Sequence, residues 1–95
     1  MGDIDITTAT RSVRIGSEHG LHARPAKLFT QAVGESGAKV TIAKGDGRPV
    51  NAASILAVIA LGIDHGDEVT LTVDGDDAAT VLDRLVDLLL TDHDG

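Results

Sequence analysis

Histidine is the residue type in this chain best suited to nucleophilic chemistry at neutral pH. There are four, His19, His22, His65 and His93, and no cysteine. Imidazole, with a free pKa of about 6.5, is largely unprotonated near neutrality and can accept an electrophilic group and later release it. A serine would need separate activation. Of the four histidines, His22 has informative neighbours, in the segment Gly20-Leu21-His22-Ala23-Arg24-Pro25-Ala26. Gly20 permits a turn, and Pro25 suits a first helical turn, where N–H groups have no intrahelical partner. The spacing therefore predicts His22 at a helix start, among free amides and at the positive end of the helix dipole. That position disfavours imidazolium and favours a bound anion, by about 0.3–1 kcal/mol at an exposed site. Arg24 adds a planar set of donors matched to phosphoryl oxygens. A loop-to-helix corner is also open to in-line approach by a donor. In isolation, a histidine at a helix start is more often a cap or a surface residue; its neighbours here make the corner a candidate anion site.

The elements that must position this segment follow from periodicity. Four short runs alternate as half-buried strands do: Ser12 to Ile15, Lys39 to Ile42, Arg48 to Ala52, and Glu68 to Val73. Gly45-Asp46-Gly47 lies between the second and third and supplies the conformational freedom a tight antiparallel hairpin needs. Pro49 cannot donate to a ladder, which sends the third strand to an edge. Helices are predicted from Ala23 to Val33, with Gly34 near the end; from a Ser54 cap through Ala60 or Leu61, with Gly62 as a left-handed stop; and over a last stripe of Ala78, Val81, Leu82, Leu85, Val86, Leu88 and Leu89. The order is βαββαβα. The economical packing is a single α+β domain with helices on one face of a mostly antiparallel sheet. We expect a lead-in over residues 1–10, the domain over 11–90, and a flexible tail over 91–95.

Composition narrows the partners. The net charge of −7 is unevenly spread, residues 1–48 carrying +2 and residues 49–95 carrying −9. An acidic protein is ill suited to nucleic acid or anionic lipid. Arg11, Arg14, Arg24 and Lys27 lie near His22 in sequence, a basic patch able to receive an anion or dock an acidic partner. With no cysteine, the chain has neither disulfides nor thiolate metal sites, which suits a reducing cytoplasm. Its longest apolar stretch, Ile55 to Ile63, is far short of the roughly 20 residues a membrane span requires. His19, His65 and His93 are expected to be solvated. Asp64, His65 and Asp67 lack the count and spacing of a zinc or calcium site, so neither metal nor cofactor is implied.

The segment Gly20 to Ala26 closely resembles the signature of the HPr family, the histidine-containing phosphocarriers of the bacterial phosphoenolpyruvate-dependent sugar phosphotransferase system. Ser54-Ile55-Leu56-Ala57-Val58-Ile59-Ala60-Leu61-Gly62 is similar to that family's regulatory-serine segment and short second helix. The resemblance spans about Arg11 to Leu90. It implies an open-faced β-sandwich with strand order 1-4-2-3. It also implies that His22 receives a phosphoryl group on Nδ1 from phospho-enzyme I, that Arg24 steadies it, and that IIA domains of sugar permeases remove it. The protein would then be a substrate of other enzymes and not itself an enzyme. The resemblance assigns the apolar strip Ile55, Leu56 and Ile59 to partner docking, with core packing as the alternative; we expect docking for Ile55 and Leu56 only, together with Lys27. Ala53 stands where many relatives have lysine, a departure that bears on whether a serine kinase recognises Ser54; the alternative role of Ser54 is a helix cap.

Two other functions could use the same histidine. An enzyme using His22 as general base would need a nucleophile, oxyanion donors and an enclosed pocket, none of which the sequence supplies. A regulatory module in a nitrogen-related phosphotransferase chain would share the same site and differ in its partners. A monomer is expected, since no large apolar stripe is left over.

Overall fold

The computed structural model describes residues 8–16, 20–21 and 23–90. Its seven elements run β1 (Thr8–Arg14), α1 (Ala23–Ser36), β2 (Lys39–Lys44), β3 (Val50–Asn51), α2 (Ile55–Ala60), β4 (Glu68–Asp74) and α3 (Ala78–Leu90). The strands form one antiparallel sheet in the order β1-β4-β2-β3. The alternation seen in the sequence sets its two faces. Val13, Val69, Leu71, Val73, Val40 and Ile42 are buried and meet Phe29 and Val33 of α1, Val58 of α2, and Leu82, Leu85 and Leu89 of α3. The other face is lined with hydroxyls that pair across strands, Thr10 with Thr72 and Ser12 with Thr70. The result is an open-faced sandwich, with helices covering the apolar face.

Several boundaries differ from those the sequence suggests. β1 begins at Thr8, so Thr8, Ala9 and Thr10, expected in the lead-in, instead pair with Asp74, Val73 and Thr72. Threonine favours the pleated surface, and Arg11, which interrupts the apolar alternation, is accommodated by an ion pair to Asp83 of α3 at 3.0 Å. Helix α1 continues three residues past Val33. Gly34 is tolerated inside it, and the stop falls at Gly37 (φ 70°), with the Ser36 hydroxyl donating to the Val33 carbonyl at 2.6 Å. β3 keeps only two of its five expected residues. Pro49 contributes no donor on one side, and on the other Asn51 turns the chain, its Oδ1 accepting from the Ala53 amide at 2.9 Å and its backbone carbonyl from the Ser54 amide. The edge position predicted from Pro49 is the observed one.

Candidate functional site

His22 lies outside the described residues, as do His19 and His93; Gly20 and Leu21 before it and α1 after it are described. Ahead of it, Leu21 is 2% exposed and donates its amide to the Ile63 carbonyl at 3.0 Å. Gly20 has φ of 73°, and a Cβ there would sit 2.3 Å from the Ile63 carbonyl oxygen. Only glycine allows so close an approach. After His22, α1 begins at Ala23. Pro25, Ala26 and Phe29 are buried and fix the helix to the core, which turns Arg24 and Lys27 outward.

Arg24 and Lys27 line a groove of about 550 Å³ with Leu28 and Gln31 of α1 and Ile55 of α2. Leu56, beside it, is 78% exposed. The structure therefore brings the candidates Arg24, Lys27 and Ile55 together, with Leu56 next in chain. One correction follows. Ile59, left out of the expected docking pair, is 38% exposed, the same as Ile55, because Val58 alone of α2 is buried. Arg11 and Arg14, the other members of the expected basic patch, have partners of their own. Arg11 is held by Asp83, and Arg14 donates to the Gly66 carbonyl at 3.2 Å.

Ser54 is the N-cap of α2, in extended conformation (φ −96°, ψ 112°), with its hydroxyl accepting from the Ala57 amide at 3.3 Å. Gly62 follows α2 with φ of 65°. His65 is exposed. Among the described residues, no three acidic or histidine side chains converge as metal ligands would.

One cluster escaped the sequence reading. The Asp67 carboxylate accepts from the Asp64 amide at 2.8 Å, and Lys44 Nζ lies 3.4 Å from the same oxygen while donating to the Gly62 carbonyl at 2.8 Å. The Asp64 N–H, aided by Lys44 and opposed by desolvation, holds the Asp67 carboxyl below its ordinary value. The Asp-x-x-Asp spacing is the signal that could have found this turn; the Lys44 partner, 23 residues away in sequence, leaves no local trace.

The family model described as the PTS HPr component phosphorylation site matches residues 9–90. The phosphocarrier protein HPr of Streptomyces coelicolor is 51% identical over 81 residues, which cover 85% of this chain and 87% of that protein. A multiphosphoryl transfer protein of Vibrio cholerae is 45% identical over 78 residues, 80% of this chain but 20% of that longer protein. Among solved structures, a phosphocarrier protein HPr from Bacillus anthracis superposes with a TM-score of 0.82 at 36% identity, covering 86% of this chain and 96% of that one. Fold and family matches thus define a phosphotransferase-system component of the HPr type, and the chain belongs to the PTS-HPr family.

Proposed function

We propose that this protein is a phosphoryl carrier that takes a phosphoryl group onto His22 Nδ1 from phospho-enzyme I and passes it to IIA domains of sugar permeases. The observation that carries the reading is the family match across residues 9–90, together with an unbroken Gly20-to-Ala26 signature whose Arg24 is exposed at the start of α1. The Nδ1 lone pair attacks phosphorus as the bond from phosphorus to the donor breaks, so the phosphoryl group moves with no net change in the carrier's other bonds. Arg24 supplies donors to the phosphoryl oxygens, and the first-turn amides add positive potential. The groove lined by Arg24, Lys27 and Ile55, with Leu56 alongside, is the docking surface: its apolar part gives affinity, and its two cations match acidic partners.

The same reading makes the protein a cytoplasmic monomer that uses no cofactor, is not an enzyme and binds neither nucleic acid nor membrane. Among the described residues no helix is long and apolar enough to cross a membrane. Ser54 is a candidate for phosphorylation by a serine kinase, superimposed on its capping role. Incubation with enzyme I and phosphoenolpyruvate tests the carrier reading: labelling should stop at one phosphoryl group per chain. Continuous product release in the absence of an acceptor domain would instead mark an enzyme.

A further inference from the structure

The loop from Gly62 to Asp67 holds both ends of the segment that leads into His22. At the β1 end, Ile15 donates to the Asp67 carbonyl and accepts from the Gly66 amide, each at 3.0 Å. At the α1 end, Leu21 donates to the Ile63 carbonyl at 3.0 Å, and Gly20 is pressed against Ile63 and Asp64. The loop is in turn closed on itself. Asp64 N–H bonds Asp67 Oδ2, and Asp67 N–H returns to the Asp64 carbonyl at 3.1 Å. It is tied to the sheet by Lys44, which reaches the Gly62 carbonyl and the Asp67 carboxylate together. One half-buried carboxylate therefore joins the turn to β2, and every described hydrogen bond that fixes the residue before His22 runs to that turn.

We infer that Asp67, clasped by Lys44, is a positioning residue for phosphoryl transfer, setting through the Gly62–Asp67 turn where the chain presents His22. This rests on the carrier reading for its kinetic consequence, though not for its structural one. A partly exposed ion pair of this kind adds little to global stability, but a small displacement of a reacting group costs rate steeply. The proposed docking groove on α1 and α2 shares no residue with the clasp, so variants of the clasp should leave the KM with enzyme I unchanged.

The test measures amide hydrogen exchange at Leu21, and kcat and KM for each variant as substrate of enzyme I, in Asp67→Ala, Asp67→Asn and Lys44→Met. In Asp67→Ala, Leu21 exchange should quicken about tenfold while the β4 amides of Leu71 and Val73 stay protected, and kcat should fall about tenfold at unchanged KM. Asp67→Asn, whose amide oxygen still accepts from Asp64, should recover most of both. Lys44→Met should match Asp67→Ala, and the double variant should be no worse than either. If Asp67→Ala lowers the melting temperature enough to blur exchange, the Asn and Met variants decide. Unchanged Leu21 exchange, or faster exchange with unchanged kcat, would overturn the inference. Faster exchange in a protein that enzyme I never labels on His22 would keep the clasp and remove the carrier reading instead.

Discussion

Helices α2 and α3 are both rich in apolar residues and treat them in opposite ways. α3, thirteen residues long, buries Ala78, Leu82, Leu85, Val86 and Leu89 and turns Asp83, Arg84 and Asp87 outward. α2, six residues long, buries Val58 alone and leaves Ile55, Leu56 and Ile59 exposed. Each fully buried aliphatic side chain is worth roughly 1.5–3 kcal/mol, so α3 is held by its own stripe. α2 is held by one core residue, the Ser54 cap and its neighbours. Apolar surface that the core does not use, placed beside Arg24 and Lys27, is what a docking face needs.

The sharpest way to break this comparison is to truncate one leucine from each helix. Leu85→Ala should cost about 3 kcal/mol of stability, measured by denaturant unfolding, while the folded fraction still accepts phosphoryl groups at the normal rate. Leu56→Ala should leave stability within about 0.5 kcal/mol of wild type and raise the KM with enzyme I. If Leu56→Ala instead unfolded the protein at normal KM, the two helices would be doing the same work.

Arg24→Lys preserves charge and loses the planar donor set, so transfer should slow by roughly tenfold, about 1.4 kcal/mol in the barrier, with an unchanged melting temperature. A rate equal to wild type in both Arg24→Lys and Arg24→Ala would make Arg24 a bystander.

At Ser54 the two roles separate. Ser54→Ala removes the acceptor for the Ala57 amide and should cost about 0.5–1 kcal/mol in thermal unfolding with little change in labelling. Ser54→Asp keeps an acceptor and a charge that the helix start favours, so the fold should hold. Because that charge borders Ile55 and Leu56, it must be desolvated on docking, and labelling by enzyme I should slow. Labelling as fast as wild type at low salt would leave Ser54 an ordinary cap.

The smallest effect concerns acid. Asp67 titrates below the ordinary aspartate value of 3.8, chiefly through the Asp64 amide, so its ionised form favours the folded state. That contribution is present above the unfolded pKa and is lost as pH falls through the lower folded value. The melting-temperature difference between wild type and Asp67→Asn should thus be constant from neutrality down to about pH 5 and shrink below pH 4. A difference that grew on acidification would contradict the clasp.

Much of this molecule is legible in its residues because the signals are local. The Val69/Leu71/Val73 alternation, the α3 stripe and the Gly20-to-Ala26 segment each fit within a few turns of chain, and β4, α3 and the start of α1 lie where those patterns put them. Pro49 located an edge strand through one missing donor. What was not legible depends on distance in sequence. The early start of β1 rests on pairing with β4, more than sixty residues away, where Thr8, Ala9 and Thr10 meet Asp74, Val73 and Thr72. The exposure of Ile59 needs to be known against Val58, since α2 packs through a single residue and a six-residue helix has too little period to say which. The Lys44–Asp67 clasp joins a hairpin to a loop that no short motif connects.

The central claim is that a single histidine carries the phosphoryl group, and the direct measurement is site-resolved labelling by enzyme I and phosphoenolpyruvate across the four histidines. Wild type should take up one acid-labile, alkali-stable phosphoryl group. His19→Ala, His65→Ala and His93→Ala should label like wild type, and His22→Ala should not label at all. Full labelling of His22→Ala would contradict the account.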